Sequence, residues 1–317
     1  GAFVQTDSSL VMYYTGSTNQ GAWQQTGRAV SIDAGESWDR NPEGPVLEAN
    51  SDAWDEKVAS TPWVIKIREK YFLYYRGSRS AMEEDAIGLA MSSDGINFKK
   101  HGENPILTAS DFLGIRNHPA TMGVLNAVCD YDGSVIILFE AHESEYDQRG
   151  QIFAARSDDG LDFTPMNSGA PLFSARNVKS WPVLGVCNPR LTKIGSDWFM
   201  LGFNGTYNGE YSLGVAFTKD FINWYEHLDN PIMVPRGWPA GESFTHRIEG
   251  PCFDLDHIRC GNKRVDCYVM AIPYGGENHE NGVNAKVVFN VSDQKTEGIH
   301  VRALPVKPRN LDVKDNN

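Results

Sequence analysis

Several acids stand in contexts suited to proton transfer. Glu249 lies in Arg247-Ile-Glu-Gly-Pro-Cys-Phe, where Gly-Pro fixes the backbone and removes a donor just after the acid. Glu140 closes an apolar run, Val135 to Phe139, where loss of water would raise a carboxyl pKa. Asp55 and Glu56 precede an apolar strand and read as solvated loop residues that could also act as acids. Two such carboxyls facing each other would suit glycosidic cleavage, one protonating the leaving oxygen and one serving as base or nucleophile. Each acid also has a structural alternative: Glu249 could pair with Arg247 or Arg190, and Glu140 could accept from a sugar hydroxyl. His118, His142 and His246 suit hydroxyl binding, an acid role for His246, or metal ligation if they converge. Arg76, after Tyr-Tyr, suits a substrate carboxylate or phosphate, or the bracing of a neighbouring acid.

A repeat of about 60 residues must position these groups. Its clearest copy runs Thr61-Pro-Trp-Val-Ile-Lys-Ile, then Tyr71-Phe-Leu-Tyr-Tyr-Arg-Gly, then Ile87-Gly-Leu-Ala-Met. It closes on Ser92-Ser-Asp-Gly-Ile-Asn-Phe and Asn104-Pro-Ile-Leu. Other copies carry Ser31-Ile-Asp-Ala-Gly-Glu-Ser-Trp, Ser157-Asp-Asp-Gly-Leu-Asp-Phe and Thr218-Lys-Asp-Phe-Ile-Asn-Trp, and the last is looser. Aromatic and β-branched runs between Gly, Asp and Asn turns predict four antiparallel strands per copy. The Asp of each turn caps backbone donors and the Gly takes positive φ, so these Asp residues are structural. The following aromatic pins the turn. The expected fold is all-β: a single five-bladed β-propeller over 1–317. Its blades fall at about 1–50, 51–110, 111–176, 177–237 and 238–308.

In such a blade the start of the innermost strand and the end of the second face one central pocket. The first copy then contributes Thr15, Ser17 and Trp23; the second Asp55, Glu56, Thr61, Arg76 and Ser78. The third brings Asn117, His118, Glu140, His142 and Glu143, and the fourth Trp181, Asn188, Asn204 and Tyr207. The fifth adds His246, Arg247, Glu249 and Tyr274. Catalysis is expected from Glu249, Glu140, Asp55 and His246. Substrate binding is expected from Arg76, Thr61, His118, His142, Trp181, Asn188, Arg247 and Tyr274.

Composition narrows the partners. With 41 acidic against 29 basic residues and a net charge of −12, the chain is a poor ligand for a phosphate backbone. No apolar run reaches the length of a membrane span. Five cysteines form no CxxC pair; Cys252 and Cys267 could meet across one hairpin, but buried free thiols are favoured. Two sequons, Asn204-Gly-Thr and Asn290-Val-Ser, lean towards a secreted or periplasmic protein. The start on Gly1 without Met reads as a mature or trimmed form. The expected partner is a carbohydrate, and nothing in the sequence sets the oligomeric state. The chemistry requires no cofactor, and a structural divalent cation in the central channel is compatible with it.

The five-copy pattern resembles the propeller glycoside hydrolases: arabinanases, xylosidases, invertases, mannoside phosphorylases and neoagarobiose-hydrolase-like enzymes. Tyr71 to Leu107 is similar to a blade of the mannoside phosphorylases. Gly185-Val-Cys-Asn-Pro-Arg-Leu is similar to their Gly-Val-Glu-Asp-Pro-Arg, but Cys187 and Asn188 replace both acids, which counts against a phosphorylase. Glu249-Gly-Pro resembles the general-acid motif of the arabinanase and xylosidase group, which falls in the third blade there and the fifth here. His246 with Glu249 resembles the late Glu and nearby His of neoagarobiose-hydrolase-like propellers. The resemblance implies a catalytic Asp at the start of the first inner strand. Aligning Leu10 with Tyr71 and Trp198 puts that position just before Gly1, leaving Glu140 or Asp55 as the other base. A glycoside hydrolase leads; a noncatalytic sugar-binding propeller competes, since Thr61 and Asn188 stand where active relatives carry Asp. A sialidase would need six blades and an arginine cluster, and five blades are counted without one.

Overall fold

The computed structural model describes residues 2–6, 8–18, 23–33, 37–51, 53–79, 85–113, 115, 121–142, 149–194, 197–207, 210–228, 230–232, 234, 247–253, 264–272, 283–293 and 299–305, and from 247 onward the backbone alone. The described residues contain strands, turns and short 3-10 segments but no α-helix. Accordingly, none of them forms a helix long and apolar enough to cross a membrane. By contact density the chain divides into two compact units: Gly1–Tyr146, Phe153–Ala170 and Leu311–Asn317; and Asp147–Ile152 with Pro171–Asn310.

In the first unit, β1 (Ala2–Gln5), β2 (Leu10–Thr18), β3 (Trp23–Ser31) and β4 (Asp39–Arg40) form an antiparallel meander. A second comprises β5 (Val58–Ile67), β6 (Lys70–Ser78), β7 (Ala86–Ser92) and β8 (Lys99–Lys100), with β9 (Leu107–Thr108) also on β7. A single parallel pair, Gln24 with Val58, links the two into one sheet. A third is β10 (Thr121–Cys129), β11 (Val135–His142), β12 (Gln151–Ser157) and β13 (Thr164–Pro165). In the second unit, β14 (Gly185–Ile194), β15 (Trp198–Tyr207), β16 (Glu210–Thr218) and β17 (Tyr225–Glu226) form a fourth meander. It is joined through Tyr211 and Arg247 to a fifth, β18 (Arg247–Phe253), β19 (Arg264–Ile272), β20 (Val283–Asp293) and β21 (Ile299–Pro305).

The repeated turns bind the first three meanders together. Tyr13 and Tyr74 occupy the same position on β2 and β6, and both are buried. Tyr13 donates from its hydroxyl to the carbonyl of Gly95 at 2.7 Å, in the Asp-Gly turn of the following meander. Tyr74 donates likewise to Gly160 at 2.9 Å, again one meander on. Each ring meets the aromatic of the turn it reaches edge-on, Tyr13 with Phe98 at 88° and Tyr74 with Phe163 at 90°. The aromatic therefore pins its turn to the preceding meander. Gly95 and Gly160 take φ of 72° and 82°, and a Cβ on Gly95 would stand 2.8 Å from the Tyr13 hydroxyl. Both the conformation and the space demand glycine there.

The turn aspartates cap donors as their sequence implies. Asp94 accepts from the backbone of Ile96 and Asn97, and Asp159 from Leu161 and Asp162. Asp220 accepts from Ile222 and Asn223, although Phe221, at φ 59°, replaces the glycine of that turn. The Asn223 N–H and side chain, then Ile222, hold the Asp220 carboxyl at about 2, below its usual 3.8. Donors from Asn97 lower Asp94 in the same way.

Strand register refines the repeat. Tyr71 pairs with Ser92 and Phe199 with Thr218, so the fourth copy aligns Phe199, not Trp198, with Tyr71 and Leu10. The offset arises because the Ile194–Trp198 hairpin is one residue longer than the Ile67–Lys70 hairpin.

Two outcomes follow from these contacts. Tyr74→Phe leaves the Gly160 carbonyl unpaired in the interior and should cost roughly 1–3 kcal/mol by urea unfolding. The folded turns hold aspartate ionised, so their stabilisation is complete above the unfolded value of 3.8 and is lost as pH falls towards about 2. Urea midpoints recorded from pH 7 to pH ~2.5 should fall over that window, and less steeply in Asp220→Asn.

Candidate functional site

One irregularity recurs on the inner strands. The pairing register shifts between Ser60 and Trp63, Gly123 and Asn126, Cys187 and Arg190, and Glu249 and Cys252. Each shift is a bulge in which two residues oppose one on the neighbouring strand: Thr61-Pro62, Val124-Leu125, Asn188-Pro189 and Gly250-Pro251. Proline suits such a place because it cannot donate to the ladder. Thr61 and Asn188 sit at φ 45° and 52°. Left-handed backbone is a genuine outlier for a β-branched residue, and strain of this kind concentrates at functional sites.

The bulges define one register position per meander. Immediately before each bulge stand Ser60, Gly123, Cys187 and Glu249, paired with Arg76, Glu140, Asn204 and Met270 on the neighbouring strands. Thr15 holds the same position on β2, by its alignment with Arg76. Thr15, Arg76 and Glu140 are thus the three equivalents in the first unit, and Asn204 and Met270 those in the second.

In the first unit, the Thr61 N–H donates to Thr15 Oγ1 at 2.9 Å, which holds the strained bulge. Arg76 Nε lies 2.9 Å from Asp85 Oδ1, and Asp85 Oδ2 accepts the Met122 N–H at 3.1 Å. Arg76 therefore braces an acid, one of its expected roles. Asp85 is buried; desolvation raises its pKa while the Arg76 cation opposes that rise. Sequence reasoning missed this residue. The available signal was its place at the end of the acidic run Glu83-Glu-Asp85, directly before an apolar strand. Glu140 Oε1 lies 3.4 Å from His142 Nε2, and both side chains are largely covered.

Asp55 departs from expectation. It is buried, not solvated: its Oδ2 accepts from the Tyr75 hydroxyl at 2.9 Å and pairs with Lys100 Nζ at 2.5 Å. Lys100 lies on β8, the outermost strand of that meander, so the pair braces the sheet. Trp54 covers it, filling the space left by Gly77 and Gly88 and leaning on Tyr75.

The second unit repeats that arrangement. Trp181 fills the space over Gly205 and Gly214 and stacks on Phe203 at 13°. These are the register equivalents of Gly77, Gly88 and Tyr75, so the described contacts of Trp181 are packing contacts within its own meander. Asn188 Nδ2 donates to Asn204 Oδ1 at 3.0 Å, and Arg190 donates to the Pro189 carbonyl at 2.8 Å. Arg247 and Glu249 lie on β18. The register pairs Cys252 with Tyr268 and Cys267 with Phe253, so the two cysteines do not oppose each other. His118, His246 and Tyr274, with Asn117 and Glu143, fall outside the described residues. Among the described residues, no three His, Cys, Asp or Glu side chains are grouped to share a metal ion.

No family model and no curated protein matches the chain. Solved structures do. An endo-1,4-β-xylanase from Bacteroides thetaiotaomicron is 19% identical with a TM-score of 0.65, over 97% of this chain and 94% of that one. A Bombyx mori family-32 β-fructofuranosidase is 14% identical with a TM-score of 0.63, over 96% and 62%. A Clostridium thermocellum α-L-arabinofuranosidase of family 43 is 13% identical with a TM-score of 0.57, over 96% and 93%. The chain has the β-propeller fold of these glycoside hydrolases.

Asp55→Asn should separate bracing from chemistry. Removing the partner of Lys100, which keeps some solvent contact, should lower stability by about 1–3 kcal/mol in chemical denaturation.

Proposed function

We propose that this protein is a glycoside hydrolase acting on a poly- or oligosaccharide. The observation that carries the reading is the set of bulges at one register position on the inner strands. Two of them hold strained non-glycine residues, and the positions paired with the four bulges carry Arg76, Glu140, Asn204 and Met270. Likeness of fold to a xylanase, an arabinofuranosidase and a β-fructofuranosidase supports the substrate class. Glu249, directly before the Gly-Pro bulge of β18, is the proposed general acid. Glu140 is the proposed second carboxylate, with His142 its neighbour. One protonates the leaving oxygen while the other activates water or attacks the sugar. We take the protein to be secreted or periplasmic, where polysaccharide substrates are met. No step of the proposed chemistry calls on a cofactor.

A noncatalytic sugar-binding propeller is the second reading, favoured by the Thr61 and Asn188 side chains in the strained bulges. A sugar-release screen across plant, algal and microbial glycans separates the two. The hydrolase reading expects turnover that falls by about 10²–10⁴ in Glu249→Gln and in Glu140→Gln, with glycan binding retained. Binding without release in the unmodified protein would establish the second reading instead.

A further inference from the structure

We propose that Tyr207 is a stacking platform for a sugar ring, with Leu184 flanking it at the end of the fourth meander. This rests on the carbohydrate reading above and adds a binding residue to it.

Tyr207 ends β15, three residues past Asn204 and so about 10 Å along the strand from that candidate position. Its backbone is held on both sides. Tyr207 pairs with Glu210 across the β15–β16 hairpin, and the Leu184 N–H donates to the Thr206 carbonyl at 2.7 Å. That bond extends the Gly185–Thr206 pairing by one step and sets Leu184 across from Tyr207. Trp181 and Val183, on the same approach to β14, close on Gly205, where an added Cβ would stand 3.0 and 2.6 Å from them. The ring expected to stack is thus committed to packing. The ring two residues beyond Gly205 is left at the surface.

Exposure separates this pair from the rest of its sheet. Tyr207 is 44% exposed and Leu184 46%, while Phe203, Leu213 and Val215 of the same meander are buried. A lone exposed apolar residue calls for no explanation. Two that stand opposite each other on one ladder step do, because the fold does not impose them. The second meander carries Lys57 and Arg79 at the equivalent step, where the Lys57 N–H donates to the Ser78 carbonyl as Leu184 does to Thr206. There Arg79 is spent on the Ala53 carbonyl at 3.3 Å. Tyr13 and Tyr74 are buried, with their hydroxyls committed to Gly95 and Gly160. Among the described residues, no ring contact or side-chain hydrogen bond occupies Tyr207.

Chemistry names the occupant. A sugar ring has C–H groups on its faces and hydroxyls at its rim. An exposed tyrosine offers an apolar ring face to the first and a polar tip to the second. With two side-chain torsions it loses little freedom on binding. A strand end with paired backbone places that ring more precisely than a loop would.

The test is calorimetric binding to xylohexaose, arabinohexaose, mannohexaose, galactohexaose and neoagarohexaose. The unmodified protein should bind at least one of them. For that hexaose, Tyr207→Ala should weaken binding by about tenfold and Leu184→Ala by about threefold. Tyr207→Phe and Tyr207→Trp keep the ring and should stay within about twofold of the unmodified protein. Both side chains are exposed, so urea midpoints should not move in any of these variants. Tyr225→Ala, at an exposed tyrosine on β17, should bind as the unmodified protein does. Undiminished binding in Tyr207→Ala or Leu184→Ala, or a tenfold loss in Tyr207→Phe, overturns this proposal and leaves the carbohydrate reading intact. So does a loss that comes with a lowered urea midpoint, or one matched by Tyr225→Ala. Failure of the unmodified protein to bind any of these hexaoses overturns both.

Discussion

A buried tyrosine hydroxyl must find an acceptor, and for one tyrosine on β2 and one on β6 that acceptor belongs to the next meander along. Tyr13 reaches the Gly95 turn and Tyr74 the Gly160 turn. A small twisted sheet cannot bury both faces alone, and stacking side by side is the general solution in repeat architectures. Here the stacking is made specific by one polar contact per junction, set inside an edge-on aromatic pair. The same contact requires glycine at positive φ, which in turn depends on the aspartate that caps the turn. Turn, glycine and tyrosine form one unit spanning two neighbours.

With the sheets so held, the inner strands can carry strain. The bulges at Thr61-Pro62 and Asn188-Pro189 hold residues in a conformation that an unsupported strand would relax. Support comes from outside the bulge: Thr15 takes the Thr61 N–H, and Asn204 takes the Asn188 amide. Because every bulge falls at the same register, the paired second-strand positions become equivalent. That equivalence turns residues far apart in the chain, such as Arg76 and Glu140, into counterparts.

Two carboxylate–cation pairs lie at different depths across their meander. Asp55 and Lys100 sit under Trp54 towards the outermost strand, and Asp85 sits at the free edge of an inner strand. Both are buried carboxylates paired with a cation. In both pairs the cation stays partly exposed while the carboxylate is covered.

The repeat, its strand content and its turn chemistry were legible in the sequence because they are local. Asp-Gly spacing, aromatic alternation and the recurring Asn-Pro elements each report on a few neighbouring residues. Thr61, Asn188, Arg76 and Glu140 could also be picked out, since strand ends follow from strand spacing. Tertiary structure decided which carboxylates are buried and what they face. Asp55 read as a solvated loop acid because its cover, Trp54 and Lys100, comes partly from a strand more than forty residues on. Asp85 was passed over because its partners, Arg76 and the Met122 N–H, meet it only once β6 and β10 lie side by side. The packing of Trp181 over two glycines was not legible, because those glycines mark the space it fills by absent atoms, which no sequence pattern displays. Burial and ion pairing are sums over distant chain segments, and only the packed sheets perform that sum.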